Sequence, residues 1–444
     1  MIPNLFALGA SASLRACSTD RFKAGTLSVS SVIPINRATA CMAPLLLSVL
    51  RRGTEKYPTL SHINRRLDYL WGTAFSIRSF YRGNCQILGF SADLLDASYL
   101  PESGEDITDG VLDLMQQLLF YPLLDENGLL SAKYVESEKE LQCDAIRAAR
   151  ANPRAYAAER CKNILLENEP GGLSLYGTEE EVMAVTPEEL TAYWKELHQT
   201  LSFHAFYVGA SNTDSVINAL ANGLGVEVNS PESIEQNNSS IPLTDVASIK
   251  CRESEQRVVE DLPVHQSALV LSLRTPAAVQ DDGFFAVALY NELLGSSSPV
   301  SKLFINVREK LGLCYSCFST FNAYKAALTI CCSLEDDRRE EAEAEIRKQI
   351  AALAAGDITD EEWQAAQKSM ANAYRQLSDS PSAMEVYYLG RALAGVSISP
   401  EEGSARIAAL TRDEVIQVAK QMKIDTVFVL HPTGGKEEQS DEEI

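Results

Sequence analysis

The feature that most constrains the fold is that the second half of the chain repeats the landmarks of the first in the same order. Gly72-x-x-Phe75-Ser76 is matched by Gly312-x-x-Tyr315-Ser316, and each is followed by an apolar strand, the first ending in Ala92-Asp93-Leu94 and the second in Ser333-Leu334-Glu335-Asp336. Thr186 to Glu189 and Thr411 to Glu414 are matching capping boxes, in which a hydroxyl and a carboxylate three residues apart satisfy free N–H groups at a helix start. Each of those helices runs into a strand, at 201–209 and at 426–430. Matched landmarks in one order argue for duplication. The expected fold class is therefore α+β: two homologous domains, each a mainly antiparallel β-sheet flanked by helices, joined by a polar linker. A chain of 444 residues accommodates two domains of about 200 residues each.

The expected boundaries are a first domain at 1–225, a linker at 226–262, a second domain at 263–432 and an acidic disordered tail at 433–444. The linker assignment rests on the Asn/Ser/Pro cluster NSPESIEQNNSSIP and the tail on KEEQSDEEI. Residues 21–35 alternate apolar positions and end near Pro34, so they begin the first sheet. Further strands are expected at 84–94 and from 265 to 274. Helices are expected at 39–52, 107–120, 153–166, 284–294, 336–355, from 359 to about 377, and at 382–394.

Composition narrows the function. The net charge of -22 argues against nucleic acid, whose phosphates call for a basic surface. No apolar run reaches the roughly 18 to 20 residues of a membrane helix, and the N-terminal residues lack the basic start and apolar centre of a signal peptide. Most of the ten cysteines sit in apolar runs, as reduced core thiols do, which points to the cytoplasm. Cys314-x-x-Cys317 also has redox spacing, although both residues fall within a strand pattern.

Residues 301–316, SKLFINVREKLGLCYS, carry the densest chemical signal. Leu303, Val307 and Leu311 fall at spacings of four with charged residues between, so an amphipathic helix is expected to end here, stopped by Gly312. Apolar and small residues follow as a strand. Arg308 and Tyr315 flank the junction, and a guanidinium with a phenol can converge on one carbonyl as donors. By chemistry alone the plainer reading is an Arg in a surface ion pair and a Tyr in the sheet.

The run LLGSSSPVSKLFINVREKLGLCYS, from Leu293, resembles the second-domain signature of the pitrilysin/insulinase family of zinc peptidases and the related processing peptidases. That signature is a Gly-Ser-rich turn, Ser-x-Leu-Phe, then Arg-Glu-x-x-Gly-Leu-x-Tyr. The resemblance covers nearly the whole chain, from Arg21 to about Pro432. It implies that Arg308 and Tyr315 hold substrate at a zinc site in another domain.

Active relatives carry a His-x-x-Glu-His helix in the first domain, followed by a basic residue, Gly and Thr. Its two His lie on one helix face and bind zinc, and its Glu activates water. Anchored on Arg52-Gly53-Thr54, those positions hold Pro44, Leu47 and Ser48. The family's third ligand, a Glu, falls at Ala145 in the run EKELQCDAI. None of the four can bind zinc, and His62, His198, His204, His265 and His431 contain no pair at helical ligand spacing. No metal site is therefore expected in this chain.

Some relatives work as heterodimers in which one subunit carries the zinc motif and the other the Arg/Tyr pair. The resemblance thus implies a catalytically incomplete subunit of a heterodimeric zinc metallopeptidase. A zinc-bearing homologous partner would polarise and cleave the peptide, while Arg308 and Tyr315 position it. The alternatives are a structural or scaffold subunit with no role in proteolysis, and a lone peptidase with unconventional ligands.

Overall fold

The computed structural model describes residues 2–8, 12–101, 105–225, 233–234, 252–296 and 298–433. Most of the linker expected at 226–262 and nearly all of the acidic tail expected at 433–444 lie outside the described residues. The first sheet contains β1 (Asn4–Leu8), β2 (Ala12–Ser18), β3 (Ala24–Pro34), β4 (Phe75–Arg82), β5 (Cys85–Leu95), β6 (Phe203–Gly209) and β7 (Ser233–Ile234), in the order β4-β5-β3-β6-β2-β1-β7. The second contains β8 (Gln256–Leu262), β9 (Ser267–Arg274), β10 (Ser316–Asn322), β11 (Ala327–Leu334) and β12 (Lys423–Pro432), in the order β10-β11-β9-β12-β8.

Duplication is visible in this topology. The series β4-β5-β3-β6-β2 and β10-β11-β9-β12-β8 correspond strand for strand, and each ends in its sheet's one parallel pair, β2 with β6 and β8 with β12. All other described pairings are antiparallel, so the expected α+β fold with two mainly antiparallel sheets is the fold observed. Both capping boxes are formed, with Thr186 paired to Glu189 and Thr411 to Glu414.

Three elements differ from the sequence reading. The first sheet starts at β1 and β2, ahead of residue 21, in segments (NLFAL and ASLRACS) that contain no β-branched residue to announce a strand. β8 occupies the end of the span read as linker; as an edge strand it alternates exposed with half-buried residues and carries little apolar signal. The run EKELQCDAI does lie on a helix, Ala132–Ala151, as the resemblance implies for its ligand position.

Each sheet has two covered faces, because successive side chains of a strand point to opposite sides. In the first sheet Leu27, Val29, Leu88 and Phe90 join Leu45, Val111 and Met115 in the main core. On the opposite face Val32 and Ile87 pack with Leu389 and Leu393, and Phe206 and Val208 with Met384 and Tyr388, all from the helix Pro381–Leu393. Buried Glu385 of that helix accepts from Ser28 Oγ at 3.0 Å and from Arg78 Nη1 at 2.8 Å, fixing it to the sheet. In the second sheet Leu269, Leu271 and Leu273 face Tyr290, Leu293 and Ile346. Val270, Phe428 and Leu430 meet Ala157 and Cys161 of the helix Pro153–Leu165.

The compact units consequently do not follow chain order. One comprises Met1–Ile146, Glu169–Asp245 and Tyr374–Gly403; the other comprises Arg147–Asn168, Val246–Ala373 and Ser404–Ile444. Each sheet therefore takes the helix on its second face from a segment that lies, in sequence, within the other half.

Within the second unit, Asp425 of β12 is wholly buried and holds its helix in place through two arginines. It accepts from the Arg252 backbone N–H at 3.1 Å, from Arg252 Nη1 at 2.6 Å and from Arg274 Nε at 3.4 Å. The same guanidinium groups donate to the last-turn carbonyls of Pro153–Leu165, Arg252 to Ile164 at 2.7 Å and Arg274 to Leu165 at 2.8 Å. Cations at that end also complement the helix dipole.

Candidate functional site

The signature stretch folds as a helix that turns directly into an edge strand. Its helical part, Phe304–Lys310, is a π-helix, a widened form often found at functional sites. It ends around Gly312, at φ +58°, with Gly312 N–H donating to the Arg308 carbonyl and Leu313 N–H to the Val307 carbonyl, both at 3.0 Å. This is a Schellman-type end widened by one residue. The expected stop at Gly312 is thus in place, but the apolar stripe is not the α-spaced one. Leu303, Val307 and Leu313 are buried while Leu311 is exposed, because the wider turn carries Leu311 off the core-facing side.

Gly295 is where this junction is packed most tightly. Its carbonyl accepts from Ser319 N–H at 2.6 Å, and a Cβ there would stand 2.5 Å from Leu303 Cδ1 and 3.1 Å from Ser319 Oγ. Gly295→Ala is expected to lower stability by about 1 to 3 kcal/mol, as overpacking of a filled core does. Thermal unfolding against wild type measures it.

Arg308 and Tyr315 lie at this one junction and both remain accessible, the Arg308 side chain at 45% and Tyr315 at 55%. The Arg308 guanidinium lies 4.9 Å from the Phe304 ring centroid and its Nε 3.6 Å from Glu309 Oε1. Such an exposed ion pair contributes little stability, so it does not explain the arginine. Tyr315 is anchored through its backbone, N–H to the Ser333 carbonyl at 2.9 Å, and its hydroxyl donates to Glu335 Oε1 at 2.9 Å. That hydrogen bond, together with the Glu335 charge, raises the phenol pKa, so Tyr315 stays a donor at neutral pH. Phe75, its counterpart in the first half, is buried against Phe90. The fold therefore tolerates an aromatic inside at this position, and the second half keeps it outside.

Glu335 escaped the sequence reading, because only the pairing of β10 with β11 brings it to Tyr315. The same pairing sets Cys317 opposite Cys332.

The zinc positions of the first half were tested against their surroundings and do not fit the metal. Pro44 and Leu47 are buried on the helix Met42–Leu50, Ser48 is half-buried on it, and Ala145 is exposed on Ala132–Ala151. Leu47 helps line an apolar void of about 40 Å³ with Leu50, Phe90, Trp194 and Phe203. On Ala132–Ala151 the polar side chains that turn inward are already engaged. Glu138 pairs with Arg52, Lys139 donates to the Val185 carbonyl, and Gln142 donates to the carbonyls of Cys41 and Tyr176.

The histidines are scattered. His62 contacts Thr59, His198 stacks near Phe120 and Trp194, His204 is buried against Ser13 and held neutral by burial, and His431 lies between Asp261 and Asp336. Among the described residues no three His, Cys, Asp or Glu side chains come together as a metal would require. No helix among them is long and apolar enough to cross a membrane.

The family profile described as "Peptidase M16 inactive domain" matches residues 184–370, a span that includes the whole junction. A probable inactive metalloprotease of Bacillus subtilis (strain 168), YmfF, is 26% identical over 417 residues, covering 94% of this chain and 95% of that protein. Among solved structures, a conserved protein from Enterococcus faecalis V583 superposes with a TM-score of 0.87 at 22% identity, covering 98% of this chain and 100% of the other. A peptidase M16 inactive domain from Pseudomonas fluorescens gives 0.75 at 17% identity, covering 97% and 98%.

Proposed function

We propose, from the premise that this chain belongs to the pitrilysin/insulinase family (peptidase M16) as an inactive, metalloprotease-like member, that it is the substrate-positioning subunit of a heterodimeric metallopeptidase. The observation that carries this reading is the asymmetry between its halves. The positions of the zinc motif are filled by Pro44, Leu47, Ser48 and Ala145, while the Arg308/Tyr315 pair is kept whole and exposed on a built junction. Arg308 and Tyr315 donate hydrogen bonds to carbonyls of an extended peptide near the bond to be cut, fixing its register. Zinc resides in a homologous partner subunit, and this chain contributes no ligand to it.

Residues 1–225 and 263–432 carry the two homologous halves in this reading, with β8, from the end of 226–262, adding to the second. None of the nine described cysteines forms a disulfide, which supports a reducing compartment and a cytoplasmic setting for this reading.

A scaffold subunit is the second reading. One observation favours it: the Tyr315 hydroxyl is already bonded to Glu335, so a peptide carbonyl must displace that carboxylate.

Peptide cleavage by this chain, by a zinc-bearing homologue, and by the two mixed separates the readings. Cleavage only in the mixture is expected. A homologue that is equally active without this chain would make it a scaffold.

A further inference from the structure

Three thiols share the core-facing side of the junction. Cys317 and Cys332 are register partners on β10 and β11, and both belong to the second unit's main core. Cys314 packs against the same core from the turn before β10, next to Tyr315, whose N–H is bonded to the Ser333 carbonyl of β11. The three thiols are near enough for each to shift the ionisation of the others. Among the nine described cysteines Cys314 alone is only half-buried, and the other eight are buried.

We propose that Cys314 is a peroxide-reactive thiol whose oxidation is captured by Cys317 or Cys332 as an intramolecular disulfide. Core filling requires an apolar side chain of the right volume and does not require three thiols gathered on one side of a junction. An outer thiol with two inner ones behind it is the arrangement that sulfenic acid chemistry uses.

The electrostatics run the same way. Hydrogen bonds from Cys317 and then Cys332, assisted by the Arg308 charge and opposed by burial, hold the Cys314 thiol well below its ordinary pKa. The two inner thiols are pushed up, first by their interaction with Cys314 and further by burial, and burial raises Cys331 to about 11. Cys161, buried beside Ser272, is raised to about 12. The thiolate is the nucleophile, so attack starts at Cys314.

In the first step the Cys314 thiolate attacks one oxygen of hydrogen peroxide. An S–O bond forms, the O–O bond breaks and hydroxide leaves; sulfur loses two electrons and the peroxide gains them. In the second step the sulfur of Cys317 or Cys332 attacks the sulfenic sulfur. Its proton passes to the departing hydroxyl, an S–S bond replaces the S–O bond, and water leaves. A dithiol reductant returns both thiols.

The test uses the reduced full chain, one equivalent of hydrogen peroxide at neutral pH, alkylation of the remaining thiols with iodoacetamide, and tryptic digestion. Cleavage after Lys310, Lys325 and Arg338 separates Cys314 and Cys317 (peptide 311–325) from Cys332 (peptide 326–338). The expected product is either peptide 311–325, unalkylated and two hydrogens lighter, or the two peptides joined through Cys314 and Cys332. Dithiothreitol should reverse it, and Cys314→Ser should slow peroxide consumption by about tenfold or more.

A Cys317–Cys332 disulfide forming at the wild-type rate in Cys314→Ser would overturn the proposal. Irreversible oxidation without a disulfide would do the same. Wild type alone provides a second measurement should the variant not fold. At a pH below the ordinary thiol pKa of about 8.5, iodoacetamide should label Cys314 before any other cysteine, and first labelling elsewhere would overturn the assignment. Both readouts are made on the isolated chain, so they stand or fall apart from peptide binding.

Discussion

Combined with the zinc-bearing homologue that the proposed function calls for, the Arg308→Ala/Tyr315→Phe chain should support peptide cleavage more slowly than wild type does, by at least the roughly 10²- to 10³-fold that follows removal of a single transition-state donor. The expectation is large because neither side chain has another task that would explain it. Arg308 makes one long surface ion pair and lies over Phe304, and Tyr315 has more than half its surface in solvent. Unfolding of the double variant should therefore match wild type, which separates a lost contact with substrate from a damaged fold. Single variants refine the reading. A change confined to KM marks uniform binding of the peptide, and a parallel fall in kcat and kcat/KM marks a contact made in the transition state. Full activity of the double variant in the complex would remove the pair from the mechanism and leave the scaffold reading.

Asp425→Ala should produce the largest loss of stability, about 3 to 5 kcal/mol, since it strands the Arg274 guanidinium beside a buried site without its anion. The loss should appear as an earlier urea transition of the second unit, with Asp425→Asn falling between the two. Burial alone would raise this carboxyl's pKa. The Arg252 N–H, the Thr426 hydroxyl and the charges of Arg274 and Arg252 outweigh it, and the pKa is lowered. A depressed carboxylate stabilises the folded state above its unfolded pKa of about 3.9, and that contribution fades as pH falls through the lower folded value. The gap between wild type and Asp425→Ala should accordingly be complete at neutral pH and narrow below about pH 4. A gap that stays constant into acid would assign the loss to packing instead of charge.

What could be read from the sequence is what local chemistry decides. The Thr186 and Thr411 capping boxes and the left-handed stop at Gly312 are each fixed by a few neighbouring residues. The strands β3, β5 and β9 carry continuous apolar or small residues and were equally plain. β1, β2 and β8 were not, since they are strands by virtue of the neighbours they pair with. In the candidate site, Arg308 and Tyr315 stood out through the motif around them. Glu335 and Cys332 did not, because their places follow from the β10–β11 register and no spacing along the chain encodes it. Leu311 was misplaced for a related reason: a period of 3.6 was applied to a helix that turns more widely.

The crossing of helices between the two halves of the sequence also sets the order of events during synthesis. The first sheet's inner strands leave the ribosome before the segment that closes the side of Val32, Ile87, Phe206 and Val208, Pro381–Leu393, has been translated. Until it is made that apolar surface stays bare, with the long-range closure and exposure to aggregation that such contacts bring. A nascent chain of this design is a natural client for chaperones, and a gene cut between the halves would yield two products, each missing part of its own core.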